Sequence, residues 1–294
     1  MAARTPSPTF DASGGPTTQP PPYSSAINAS PSSSAYSLPE YGSTSNPTAS
    51  SFSHTLSYQI ESKGSQWLSL PTAPKLDPIT VYAIGPAGTK TQKVYESIRP
   101  ERRSGSCSLY AAGSDHPVSS TTYRFGPGRP PVIRLHRQSP ESSAAESAAP
   151  KPEDEGFEVT GRGATTRSVR MRTPLGTYQW RYGRRSERKA CDADSLLILD
   201  KVTTVALAGG KTKEEYTRIA HFIRNDEFRT QGTGRADAGN GGRLMMDLRD
   251  GEKQSNELEV FVVTGLICML KREVDRRRGQ KMLMIAAAVS GAGP

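Results

Sequence analysis

The chain has 294 residues, of which 34 % are hydrophobic, and a formal net charge of +9. That length suits one large or two small domains, and the low apolar share excludes a chain packed along its whole length. The positive balance favours nucleic acid, an anionic membrane or an acidic partner, without choosing among them.

Residues 1–53 form a head rich in Ser, Pro, Thr, Ala and Tyr. From Met1 to Leu56 the only side chains charged at pH 7, with His counted neutral, are Arg4, Asp11 and Glu40. Such a segment has too little apolar surface to offset its ordering entropy, so it is predicted to be disordered. It carries about −1, which leaves the basic charge to the folded part. Within it, Pro20-Pro21-Pro22-Tyr23 fits the P-P-x-Y ligand of WW domains, and Leu38-Pro39-Glu40-Tyr41 fits the L-P-x-Y form. Prolines pre-form polyproline II at little entropic cost, and an aromatic-lined groove accepts them. Pro20, Pro21, Tyr23, Leu38, Pro39 and Tyr41 are therefore candidate WW-docking residues, and a WW-bearing HECT ubiquitin ligase is the partner such motifs suit. Chance in a Pro-rich stretch is the competing account. Thr5, Ser7, Ser30 and Ser139 each precede a proline, the context of proline-directed phosphorylation, or again of chance.

Regular patterning starts at "HTLSYQIESKGSQWLSL" (54–70). Short β-rich runs follow, separated by Gly, Pro and Ser: 79–85, 121–126, 132–136, 157–161, 168–173, 177–183 and 196–207. Many short strands with regular punctuation predict an all-β sandwich or barrel. Segment 138–156, "QSPESSAAESAAPKPEDEG", is acidic and Ser/Ala/Pro-rich and reads as a disordered insertion in a surface loop.

The clearest hairpin is "SVRMRTPLGTYQWRYG". An even-numbered loop places Val169, Met171, Tyr178, Trp180 and Tyr182 on one face, and register follows burial. The other face then presents Arg170, Arg172 and Arg181, with Arg184, Arg185 and Arg188 just beyond. These six are candidate anionic-lipid ligands; the competing account is an ordinary solvated face. With the hairpin aromatics turned inward, no stacking platform supports nucleic-acid binding.

"KTKEEYTRIAHFIRN" (211–225) is ambiguous. Thr212 with Glu215 reads as a capping box, and Tyr216, Ile219, Ala220 and Ile223 fall at helical spacing, yet 216–224 equally suits a strand. "NELEVFVVTGLICMLKREVDRRR" (256–278) is apolar on every side from Val260 to Leu270, apart from Thr264 and Gly265. That run is about half of the ~20 residues a membrane span needs, so 257–275 is predicted to be a buried helix capped by Asn256. "MLMIAAAV" (282–289) is also too short to span, and no transmembrane segment is expected.

No catalytic constellation emerges. The four histidines lack the H-E-x-x-H spacing, Val205 spoils a P-loop ending at "GKT", and Asp237 spoils "GTGRAD" as a dinucleotide fingerprint. Cys107, Cys191 and Cys268 form no CxxC pair, which argues against a zinc cage or disulfide framework and for a reducing compartment. No enzyme activity and no cofactor is expected.

An all-β region followed by a wholly apolar C-terminal helix resembles the tubby C-terminal-like superfamily, which includes the LURP-one-related and phospholipid scramblase proteins. The carrying residues are "TPLGTYQWRYG", "LLILDK", "GNGGRLMMDL" (239–248) and "ELEVFVVTGLICMLKREVDRRR", over roughly 54–290, in the manner of a fungal branch of that group. The resemblance implies a closed antiparallel β-barrel around a buried helix, and a strand at 216–224. It transfers no site residue. The resulting expectation is a cytoplasmic, non-enzymatic module, peripheral on anionic phospholipid such as phosphoinositide, with the nucleus also open to it. An adaptor without lipid binding, and a scramblase-like membrane activity, are the alternatives.

Overall fold

The computed structural model of the chain describes residues 52–66, 78–101, 105–123, 129–136, 156–161, 167–249 and 252–290. The head motifs and residues 138–155 of the acidic insertion lie outside them.

The architecture is mainly β. Strands β1 (Leu56–Glu61), β2 (Ile79–Ile84), β3 (Lys90–Ile98), β4 (Cys107–Ala111), β5 (Pro117–Thr122) and β6 (Val132–Leu135) make one half. Strands β7 (Phe157–Gly161), β8 (Val169–Thr173), β9 (Gly176–Tyr182), β10 (Ser195–Ala206), β11 (Thr212–Arg224) and β12 (Gly242–Met246) make the other, with a short helix α1 (Arg185–Ala190) between β9 and β10. Each strand pairs antiparallel with its sequence neighbours, and β12 closes on β1. Closure leaves no open sheet edge.

The β8–β9 hairpin has the even loop. Thr173 pairs with Gly176 across Pro174-Leu175, and Val169 sits opposite Trp180 and Met171 opposite Tyr178. Within segment 211–225, Thr212–Arg224 is a strand, not a capped helix. β11 pairs with β10 from Thr212 to Arg224 and with β12 from Ala220 to Ile223, so two ladders override its local helical spacing. Of the run 121–126, Thr121 and Thr122 close β5, and 124–126 lie outside the described residues. Strands β3 and β4 carried too few alternating apolar residues to stand out.

Helix α2 (Glu252–Ser290) begins before the expected cap Asn256 and threads the barrel. Every residue from Phe261 to Leu270 is buried. Phe261 meets the rings of Phe157 at 5.6 Å and Tyr178 at 4.8 Å. Its few polar groups are matched: Thr264 donates to the Val260 carbonyl at 2.7 Å and lies 2.6 Å from the Ser119 hydroxyl. Near the entry end, Tyr58 and Tyr95 both donate to Glu259 Oε1, at 2.5 and 2.6 Å. Burial, then that carboxylate, pushes both phenols well above their usual range.

Gly265 sets how closely the helix approaches the wall. A Cβ there would lie 2.8 Å from Trp180 Nε1, on a ring that is itself fully buried. Alanine in place of a helical glycine normally gains about 1 kcal/mol, but overpacking a rigid core costs about 1–3 kcal/mol. Overpacking wins here because Trp180 has nowhere to move. Gly265→Ala is expected to lower stability by roughly 1 kcal/mol, measured as a fall in the urea midpoint with an unchanged slope.

Candidate anion-binding site

The hairpin register puts Arg170, Arg172 and Arg181 on the outer face, as the alternation of β8 and β9 demands. Their charges are not left to repel one another. Arg170 donates from both terminal nitrogens to the two oxygens of Glu214, each at 2.8 Å. Arg181 donates to both oxygens of Glu187 at 2.8 Å and from Nε to Asp200 at 2.7 Å. Arg218 shares Glu187 at 2.8 Å. Hydrogen bonds from Arg181, against the cost of burial, hold the Glu187 carboxyl down to about 2. Arg172, Arg184 and Arg185 stay exposed. The backbone N–H of Arg184 donates to Glu187 at 2.7 Å and so starts α1. The outer face is thus a partly neutralised network: Glu187 of α1 lies close to the hairpin in sequence, while Asp200 of β10 and Glu214 of β11 are carboxylates that a reading of one hairpin does not see.

The denser positive charge lies at the end of the barrel where α2 emerges. Antiparallel alternation brings the end of β9, the start of β10, the end of β11 and the start of β12 to one rim. The ends of β9 and β11, the start of β10, α1, the segment 225–241 and α2 line an open-mouthed cavity of about 350 Å³. Among the described residues its lining has seven arginines against three carboxylates, Asp194, Asp237 and Glu273. Arg167 comes from just before β8, Arg188 from α1 and Arg224 from the last position of β11. Arg229 and Arg235 come from the loop, and Arg276 and Arg277 from α2. Of the six arginines singled out in the sequence, only Arg188 is here. The other six lining arginines share no spacing: Arg276 and Arg277 fall in a basic helical run, Arg229 and Arg235 in the segment between β11 and β12, Arg167 just before β8 and Arg224 at the end of β11.

At the base of the cavity is a buried ion pair. Arg224 donates to Glu273 at 2.7 and 2.8 Å, to Asn240 Oδ1 at 3.0 Å and to Ser195 Oγ at 2.9 Å. Glu273 also accepts from the Tyr182 hydroxyl at 2.6 Å and from the Gly239 N–H at 3.0 Å. Burial opposes its charge. The Arg224 guanidinium and these hydrogen bonds prevail, holding the carboxyl below its usual value. Gly239, at φ +72°, is required because a Cβ would meet Leu270 O at 2.7 Å and a methyl of Val274 at 2.5 Å. Arg229 bridges Asp194 at 2.6 Å and Asp226 at 2.8 Å, and Arg235 reaches Asp194 at 3.2 Å. The Nε atoms of Arg224 and Arg229 are buried and have no protein acceptor. The carboxylates therefore fix the arginines in place without matching their charge.

Other chemistry is thinner. Among the described residues no group of three or more His, Cys, Asp or Glu is placed to hold a metal. Burial pushes all three thiols up, Cys268 to about 11, with the Tyr123 hydroxyl donating to its Sγ at 3.3 Å. Cys268 is inert core, as its place in the apolar helix implied. The His221 imidazole, on the outer wall beside Met245 and Phe52, is pushed down to about 4 by burial and by Arg218 and His54. Comparison with protein families, curated proteins and solved structures finds no match for this chain.

Proposed function

We propose that this protein is a non-enzymatic, peripheral anionic-lipid-binding module whose rim cavity takes a phosphorylated headgroup. One observation carries the reading: among the described residues, seven arginines and only three carboxylates line a cavity of about 350 Å³. Guanidinium groups match phosphate oxygens with paired, planar donors, and that volume is in the range of small-ligand sites. The resemblance to tubby-like barrels supports the same direction. The scramblase-like alternative needs the C-terminal helix to enter lipid; among the described residues no helix is long and apolar enough to cross a membrane. The adaptor alternative rests on Pro20 to Tyr41, outside the described residues.

Vesicle sedimentation at low and physiological salt tests it. Wild type is expected to pellet with phosphoinositide vesicles and not with phosphatidylcholine alone, less so as salt rises. Arg235→Gln with Arg276→Gln removes two cavity charges worth about 1 kcal/mol each at an anionic surface, a loss of roughly 30-fold. Arg172→Glu with Arg184→Glu changes two exposed arginines on the other face and should have a smaller effect. If the second pair abolishes binding and the first does not, the site is on the hairpin. Free inositol trisphosphate that binds the protein but fails to displace it from vesicles would separate a soluble ligand from a membrane one.

A further inference from the structure

The last stretch of α2 is apolar and faces solvent. Met282, Leu283, Met284 and Ile285 are 54, 73, 52 and 46 % exposed, and Ala286 to Ala288 continue the surface. Lys281 is the last buried residue, with Nζ donating to the Gln66 carbonyl at 2.5 Å. Beyond it the helix leaves the barrel as an apolar tip.

We infer that residues 282–288 insert into the outer layer of an anionic bilayer, anchoring the protein beside its headgroup cavity. The inference deepens the lipid reading above and rests on it for the kind of surface. Three features select a bilayer as the occupant. Successive helical residues turn by about 100°, so four in a row cover most of the circumference. A protein groove reads a one-sided stripe with anchors every three or four residues, whereas lipid accepts an apolar surface on every side. The turns just before the tip carry Arg276, Arg277 and Arg278, a basic collar that complements an anionic headgroup layer. Length also fits. From Met282 to Ser290 the helix extends about 13 Å, less than half of a ~30 Å hydrocarbon core, so the tip embeds without crossing. Arg276, Arg277 and Gln280 line the cavity one turn below the tip, so headgroup and acyl region would be engaged together.

The test compares wild type with Leu283→Glu/Ile285→Glu, whose exposed positions leave the melting temperature unchanged. Calorimetry with soluble inositol trisphosphate reports the cavity alone; sedimentation with phosphatidylcholine–phosphatidylserine–phosphoinositide vesicles reports cavity and tip together. The expected result is equal trisphosphate affinity and at least about tenfold weaker vesicle binding for the variant. On the same vesicles a Leu283→Trp protein should show blue-shifted emission, quenched by brominated acyl chains beyond the wild-type response. Equal vesicle binding by wild type and variant, with no Leu283→Trp quenching, overturns insertion while leaving the cavity intact. Loss of trisphosphate binding to wild type sinks the cavity instead. A concentration-dependent dimer that the double variant abolishes, without vesicle binding, would make a second copy the occupant and overturn the inference.

Discussion

Val263→Asp is expected to abolish the folded barrel. Val263 is fully buried in the Phe261–Leu270 stretch of α2, among the wall residues that surround the helix. An aspartate there meets no donor built to receive it. Either the charge is buried unpaired or the carboxyl stays protonated at a large cost, and such substitutions reach 4–5 kcal/mol or more. Domains of this kind have about 5–15 kcal/mol to lose. Because the helix fills the barrel, displacing it also strips the inner faces of the strands. The expected outcome is insoluble protein, or a circular dichroism melt without a cooperative step. Val263→Ala, which only opens a small cavity, should remain soluble and melt cooperatively. A soluble, cooperatively melting Val263→Asp protein would show that the helix is not part of the core.

Glu273→Ala comes second in size. It leaves the Arg224 guanidinium buried with only Ser195 and Asn240, and it removes the acceptor for Tyr182 and Gly239. Breaking one side of a buried pair costs about 3–5 kcal/mol, because the remaining charge has lost water and partner together. In a domain of this size the melting temperature should fall by roughly 10 °C. The companion variant Glu273→Leu with Arg224→Met removes both charges and should recover much of the loss. The pH dependence has a fixed sign. The Glu273 carboxyl is held below its unfolded value, so its stabilisation is present above the ordinary glutamate range of about 4.3 and is lost as pH falls through the folded value. The gap between wild type and Glu273→Ala should therefore narrow on acidification. A melting temperature equal to wild type at neutral pH would mean that the pair contributes nothing net.

The sequence by itself determined the class of fold and its centre. Runs such as 157–161 and 196–207 alternate or are β-rich over the lengths of β7 and β10, and the stretch from Val260 to Leu270 is apolar on all sides. Burial dictates both patterns locally, so they are legible without knowing any neighbour. The hairpin register belongs here too, since only an even loop keeps arginine away from Trp180. Three things were decided by tertiary structure alone. Segment 212–224 is locally compatible with a helix and becomes β11 because β10 and β12 offer ladders on both sides. The outer arginines looked like free charge until strands distant in sequence supplied Glu214 and Asp200. The cavity gathers arginines from positions 167 to 277, on two helices, a strand end and loops, with no spacing rule among them. Charge is long-ranged and indifferent to periodicity. Which cations meet, and which carboxylates reach them, follows only from the closure of the barrel around α2.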